Sequence, residues 1–248
     1  PLADYSLTPT IAIIDPALVE SVPAFIAADT GMDVLTHATE AYTSNFANDY
    51  TDGIALQTIK LVFQYLEKSV LTGDPEAREK IHNASTMAGM AFANAFLGMS
   101  HSMAHKIGGR FHTVHGRTNA ILLPYVIRYN GTRPSKTTTW PKYNYWKADE
   151  KFQDIARMLG LPHSTPEEAV AAYAKAVYEL GEKVGIKMNF KDQGIDEQEW
   201  KKYTHELALL AYEDQCSPAN PRLPMVADME EIMNDAYYGY KERPGRIK

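Results

Sequence analysis

Cys216 is the only cysteine in 248 residues, so no intrachain disulfide can form, and a reducing, cytoplasmic setting fits. The chain has no apolar stretch of transmembrane length and no signal-peptide pattern, so no membrane partner is expected. It has no run of Lys or Arg, and its formal net charge is −6, which argues against a nucleic-acid partner. Internal repeats and heptads are absent. So is any G-x-G-x-x-G or similar glycine-rich loop between a strand and a helix, the usual cradle of a dinucleotide. Gly108-Gly109 falls elsewhere and is expected to bend the backbone where it stands. What remains is ordinary globular material, 45% apolar and 23% charged, long enough to bury a core.

The unusual stretch is Gly98 to Gly116, GMSHSMAHKIGGRFHTVHG. His101 and His105 form an H-x-x-x-H pair, which a helix projects from one face. His115 follows the Gly-Gly pair and precedes Gly116, where a new helix can start and turn its imidazole back. Far upstream, Asp33 and His37 repeat the i, i+4 spacing. One carboxylate and several imidazoles suit a divalent first-row metal such as Fe²⁺, and the same donors suit Zn²⁺. The candidate ligand set is Asp33, His37, His101 and His115, with His105 beside it as a proton-handling group. A set of solvated or hydrogen-bonded histidines is the plainer alternative at this point.

Most of the chain reads as helix. The exception is Thr10–Asp15, a β-branched apolar run between Pro9 and Pro16, which is expected to be one short strand. Helices are expected over residues 28–42, 49–69, 74–97, 100–111 and 116–129. The first carries Asp33 and His37. The third has an Asp74-Pro75 start, and its late part, ASTMAGMAFANAFLG, reads as apolar all round and buried. Thr165-Pro166-Glu167-Glu168, Asp196–Glu199 and Asp228–Glu231 are read as three further helix starts. Asn130–Lys147, with two prolines and four aromatics, reads as a long ordered loop or an interaction surface. His82, His112, His163 and His205 receive no role.

TGMDVLTHATEAYTS, AFANAFLGMSHSMAHKIGGRFHTVHG and NAILLPYVIRYN resemble the iron-containing, metal-dependent alcohol dehydrogenases over nearly the whole chain. The ending AYEDQCSPANPRLP…DAYYG is similar to the alcohol dehydrogenase half of the bifunctional aldehyde–alcohol dehydrogenases. The resemblance implies that Asp33, His37, His101 and His115 bind the metal, and that His105 lies near the nicotinamide and takes part in catalysis. It also places Cys216 in the wall of the nicotinamide pocket; by composition alone that residue reads as a small buried one. The implied fold is a mainly α bundle of the dehydroquinate synthase-like, iron-type kind. Residues 1–22 are expected to be a remnant strand and linker, and 23–248 the helical metal-binding domain. The chain starts PLADYSLTP without a Met, and it is expected to belong to something longer whose N-terminal domain holds the dinucleotide.

The implied activity is the NAD-dependent interconversion of a short-chain alcohol and aldehyde, ethanol and acetaldehyde, with Fe²⁺ or Zn²⁺ as Lewis acid. The chain alone is expected to be inactive, lacking the phosphate loop. Two other readings compete. One is a helical assembly module of a large homo-oligomer, with Arg133–Lys147 as contact surface. The other is a zinc-dependent polyol dehydrogenase relative, against which the ending and the Asp/three-His set weigh.

Overall fold

The structure is a computed structural model and describes residues 4–134 and 146–239. Its helices are α1 (Ala24–Thr43), α2 (Asp49–Leu71), α3 (Pro75–Ala95), α4 (Met99–Phe111), α5 (His115–Gly131), α6 (Ala148–Leu159), α7 (Pro166–Lys183), α8 (Glu197–Tyr212) and α9 (Val226–Tyr238). No strand occurs among the described residues, and no helix there is long and apolar enough to cross a membrane.

The starts follow local chemistry. Asn48 caps α2 by accepting from the N–H groups of Tyr50 and Thr51, while Thr51 Oγ1 accepts from Asn48 N–H in return. Asp74 accepts from Ala77 N–H ahead of Pro75, and Thr165 accepts from Glu168 N–H ahead of Pro166. Asp196 caps α8 through Gln198 and Glu199. The expected start at Asp228 is displaced: α9 begins at Val226, and Asp228 at its third position accepts from Met225 N–H. The start of α6 carries no capping signal in the sequence, and its N-cap Lys147 makes no side-chain capping bond.

The helices enclose two apolar cores. One gathers Met32, Leu35, Ile59, Leu66, Phe152 and Tyr173 from α1, α2, α6 and α7. The other gathers Met99, Met103, Ile107, Trp200 and Tyr237 from α4, α8 and α9. Helix α5 serves both, with Leu123 and Ile127 in the first and Ile121, Leu122 and Val126 in the second. Each fully buried side chain of this size stabilises the fold by about 1.5–3 kcal/mol relative to exposure. The seam between the cores, where α1, α4 and α5 meet, is where the polar residues collect.

Three expectations require correction. Thr10–Asp15 is not a strand. Thr10 is a bend and residues 11–15 have no regular secondary structure, no described segment pairs with them, and Ile11 and Ile13 stand 78% and 86% exposed. A lone strand has no ladder to bond its backbone. The late part of α3 is not buried all round: Ala84, Ala88, Ala91 and Ala95 pack inward, whereas Met90 and Phe96 are exposed. The small residues form one stripe against α1 and α2. Finally, Gly108-Gly109 does not bend the chain. Both glycines lie within α4, and the reversal comes at His112, whose backbone is left-handed at φ 55°. Of the expected Asn130–Lys147 loop, residues 130–131 end α5, and 135–145 lie outside the described residues.

Candidate metal centre

Helix α1 lays Asp29, Asp33, His37 and Glu40 along one side at spacings of four, four and three residues. Helix α4 presents His101 and His105 one turn apart, and after the turn at His112 the first residue of α5 is His115. The close approach of α5 to α1 depends on Gly116. A Cβ there would overlap the backbone carbonyl of Asp29 and lie 3.0 Å from Asp33 Cβ. Arg117, one residue on, ties the helices with two 2.9 Å bonds from Nε and Nη2 to the buried carboxylate of Asp29.

This packing brings one donor atom from each of Asp33, His37, His101 and His115 within 4.8 Å of one another. Asp33 Oδ1 is 3.7 Å from both His101 Nε2 and His115 Nε2. The imidazole of His37 stacks on that of His101 with ring centroids 4.5 Å apart, and on its other side lies Phe92. Asn119, fully buried on α5, donates 2.8 Å to Asp33 Oδ1 and lies 3.2 Å from His115 Nε2, holding that pair together.

The donor set fits a divalent cation. His101 is 1% exposed, and its Nε2 has no hydrogen-bond partner among the described residues, an arrangement that costs stability unless something accepts the lone pair. Its Nδ1 is 2.6 Å from Glu40 Oε2. Burial holds His101 neutral, pushing its pKa down to about 3. Burial, and then the neighbouring His101, push His37 down to about 4. Neutral imidazoles are the ligating form. Three of them with one carboxylate would leave a bound dication with a net charge of +1.

His105 lies beside this set without joining it. Its ring stacks on His115 at 5.5 Å, and its Nδ1 bonds Asp214 Oδ2 at 3.1 Å. Asp214 also takes Lys106 Nζ at 2.8 Å and Cys216 N–H at 3.0 Å. Burial alone would raise the Asp214 pKa, but these donors outweigh it and hold the carboxyl well below the usual range. Cys216 is buried, and burial together with the Glu40 and Asp214 carboxylates pushes its thiol far up, which disfavours the thiolate. The neighbouring Asn220 is a staple. Its amide exchanges bonds with Asn130, its Oδ1 accepts from Met99 N–H, and its carbonyl accepts from Asn45. His163 bonds Leu161 O, and the exposed His205 bonds Glu230, both away from the site.

Glu40, Asn119, Asp29 with Arg117, and Asp214 escaped the sequence reading. Signals existed for Glu40 and Asp29, at i+7 and i−4 from Asp33 on the same helical face, and for Asn119, at i+4 from His115. Arg117 and Asp214 carried no such mark.

The family model for the Fe-containing alcohol dehydrogenase family, C-terminal part, matches residues 27–237. The chain belongs to that family. It is 79% identical over all 248 residues to an aldehyde-alcohol dehydrogenase of Streptococcus pneumoniae, and it spans 28% of that relative's length. Among solved structures, it is similar to the iron-containing alcohol dehydrogenase of Thermococcus thioreducens, at 34% identity and a TM-score of 0.83, covering 96% of this chain and 57% of that one. A sulfoacetaldehyde reductase from Bifidobacterium kashiwanohense, solved in complex with NAD⁺, matches at 28% identity and a TM-score of 0.78, over 94% of this chain and 56% of that one. The mainly α architecture expected of the family is the one observed.

Proposed function

We propose that this chain is the metal-holding part of an NAD-dependent alcohol dehydrogenase acting on a short-chain alcohol and its aldehyde, ethanol and acetaldehyde first. The supporting observation is the gathering of Asp33, His37, His101 and His115 donors within 4.8 Å around an orphaned, buried His101 Nε2. When bound, Fe²⁺ or Zn²⁺ supplies Lewis acidity to an alcohol or carbonyl oxygen. The protein's part is to keep the imidazoles neutral and all four donors aimed. Asp33 brings the single carboxylate, burial keeps His37 and His101 unprotonated, and His115 closes the set from the start of α5. His105 is the proton carrier. Asp214, ionised, can only accept, so the His105 Nδ1 holds its proton and Nε2 is left to take up or return one. Cys216 contributes shape to the nicotinamide side of the pocket.

The dinucleotide, on this reading, is held by a further domain of a longer cytoplasmic, homo-oligomeric parent enzyme, because most dinucleotide affinity comes from a glycine-rich loop at a helix N-terminus. The test has two halves. The purified chain should bind about one Zn²⁺ or Co²⁺, and His101→Ala or His115→Ala should abolish that stoichiometry; full retention in either variant refutes the ligand set. The same chain should neither bind NADH at micromolar concentration nor reduce acetaldehyde. Sustained turnover would show that a dinucleotide site lies within these residues.

A further inference from the structure

We propose that Glu40 is a positioning residue for the metal centre: it selects the tautomer of His101 that leaves Nε2 free as a ligand, and it seats the first turn of α4. The inference rests on the metal-binding reading above and goes beyond it, since nothing in the ligand set requires Glu40.

Glu40 is 3% exposed. Its Oε2 lies 2.6 Å from His101 Nδ1 and accepts from Gly98 N–H at 3.0 Å, and its Oε1 accepts from Ser100 N–H at 2.7 Å. A carboxylate buried this deeply costs several kcal/mol unless it is bonded and compensated. Here three N–H donors and the N-terminus of α4 compensate it. The cradle is built around it. A Cβ at Gly98 would lie 2.9 Å from Glu40 Oε1 and 2.8 Å from Asn220 Oδ1, so only glycine lets the α4 start close on the carboxylate. Both carboxylate oxygens already face backbone N–H donors, of Gly98 and Ser100, which favours the form that only accepts, and His101 then carries its proton on Nδ1. The lone pair is then on Nε2, the atom that is buried and unpartnered next to Asp33. A carboxylate needed only to cap α4 would leave the ring free to choose, whereas this one dictates the choice.

Glutamine cannot replace it. If its single oxygen faces His101 and Gly98, its NH₂ meets Ser100 N–H, donor against donor. If the amide flips, its NH₂ faces His101 Nδ1, which must then accept, and the proton moves to Nε2, where it blocks the metal. Outer carboxylates of this kind affect metal affinity by about 10–100-fold.

The experiment uses the 248-residue chain at pH 8, stripped of metal. Wild type, Glu40→Gln, Glu40→Asp and His101→Ala are titrated with Co²⁺, with circular dichroism and thermal unfolding as checks on folding. The His101 tautomer is read from imidazole ¹⁵N spectra of the metal-free protein, assigned by difference with His101→Ala. The expected results are Nδ1–H in wild type, a shift toward Nε2–H in Glu40→Gln with Co²⁺ bound about 10–100-fold more weakly, and partial recovery in Glu40→Asp. A folded Glu40→Gln with unchanged tautomer and affinity overturns the proposal, and so does an Nε2–H tautomer in wild type. The tautomer needs no metal, so it decides the role of Glu40 even if Glu40→Gln fails to fold. Absence of Co²⁺ binding by wild type would instead refute the metal reading.

Discussion

Single residues at the seam divide between those that would touch a cation and those that aim them, and the two kinds give different predictions. His105 is held by Asp214 and stacked on His115, but it contributes no donor to the four-residue cluster. Replacing it by Ala should leave metal stoichiometry unchanged. In the longer enzyme proposed above, the same change should lower turnover by about 10²-fold or more, the usual scale for a positioned proton carrier. Metal analysis and steady-state rates on one preparation check both statements, and unchanged turnover would remove the role. His105 was legible from H-x-x-x-H spacing. Asp214 was not, because 109 residues separate the partners and no local periodicity links them.

At the scale of elements, the site exists because α5 comes close enough to α1 to set His115 opposite Asp33. Two glycines on these helices test this. At Gly116 an added Cβ meets the backbone of Asp29, which cannot give way without moving α1. At Gly31 the nearest atoms are those of the Leu66 side chain, which can shift without moving a backbone. Gly116→Ala should therefore destabilise the chain by about 1–3 kcal/mol, the usual cost of overpacking, and weaken metal binding by pushing α5 off α1. Gly31→Ala should cost less and leave metal binding intact. Urea unfolding with a parallel Co²⁺ titration separates the two variants, and equal metal affinity in both would show that helix spacing does not control the site. Helix starts at Asp74, Thr165 and Asp196 were readable because a cap is a short-range bond between neighbours. The α6 start, lacking a side-chain cap, left no such mark.

For the whole molecule, burying a polar seam makes stability depend on pH even without a metal. His37 and His101 stay neutral in the folded chain down to about pH 4 and about pH 3. In the unfolded chain they take up protons below about 6.5. The unfolded state then binds more protons, so stability falls as pH drops below that value. Glu40, raised by burial to about 7, works in the opposite sense down to its ordinary value of 4.5 and cancels roughly one histidine. The net is an excess of bound protons in the unfolded chain between pH 6.5 and 4.5, so stability falls across that window. Urea midpoints of the metal-free chain at pH 6.5 and pH 5 should differ accordingly. A flat profile would mean that the two imidazoles are not held neutral in the seam.

From the sequence alone came the helical class, most helix starts and the candidate ligands Asp33, His37, His101 and His115, since i, i+4 spacing, caps and a histidine at a helix start are local features of the chain. Only the tertiary structure decided that the two pairs meet. The meeting depends on the left-handed turn at His112, the Gly116 contact with Asp29, and the Asp29–Arg117 bond, which joins residues 88 positions apart. It also decided what Thr10–Asp15 and the end of α3 do. A β-branched run becomes a strand only beside another, and an alanine-rich stripe is buried only where a neighbouring helix covers it. Both depend on what the rest of the chain places alongside, which the residues themselves do not encode locally.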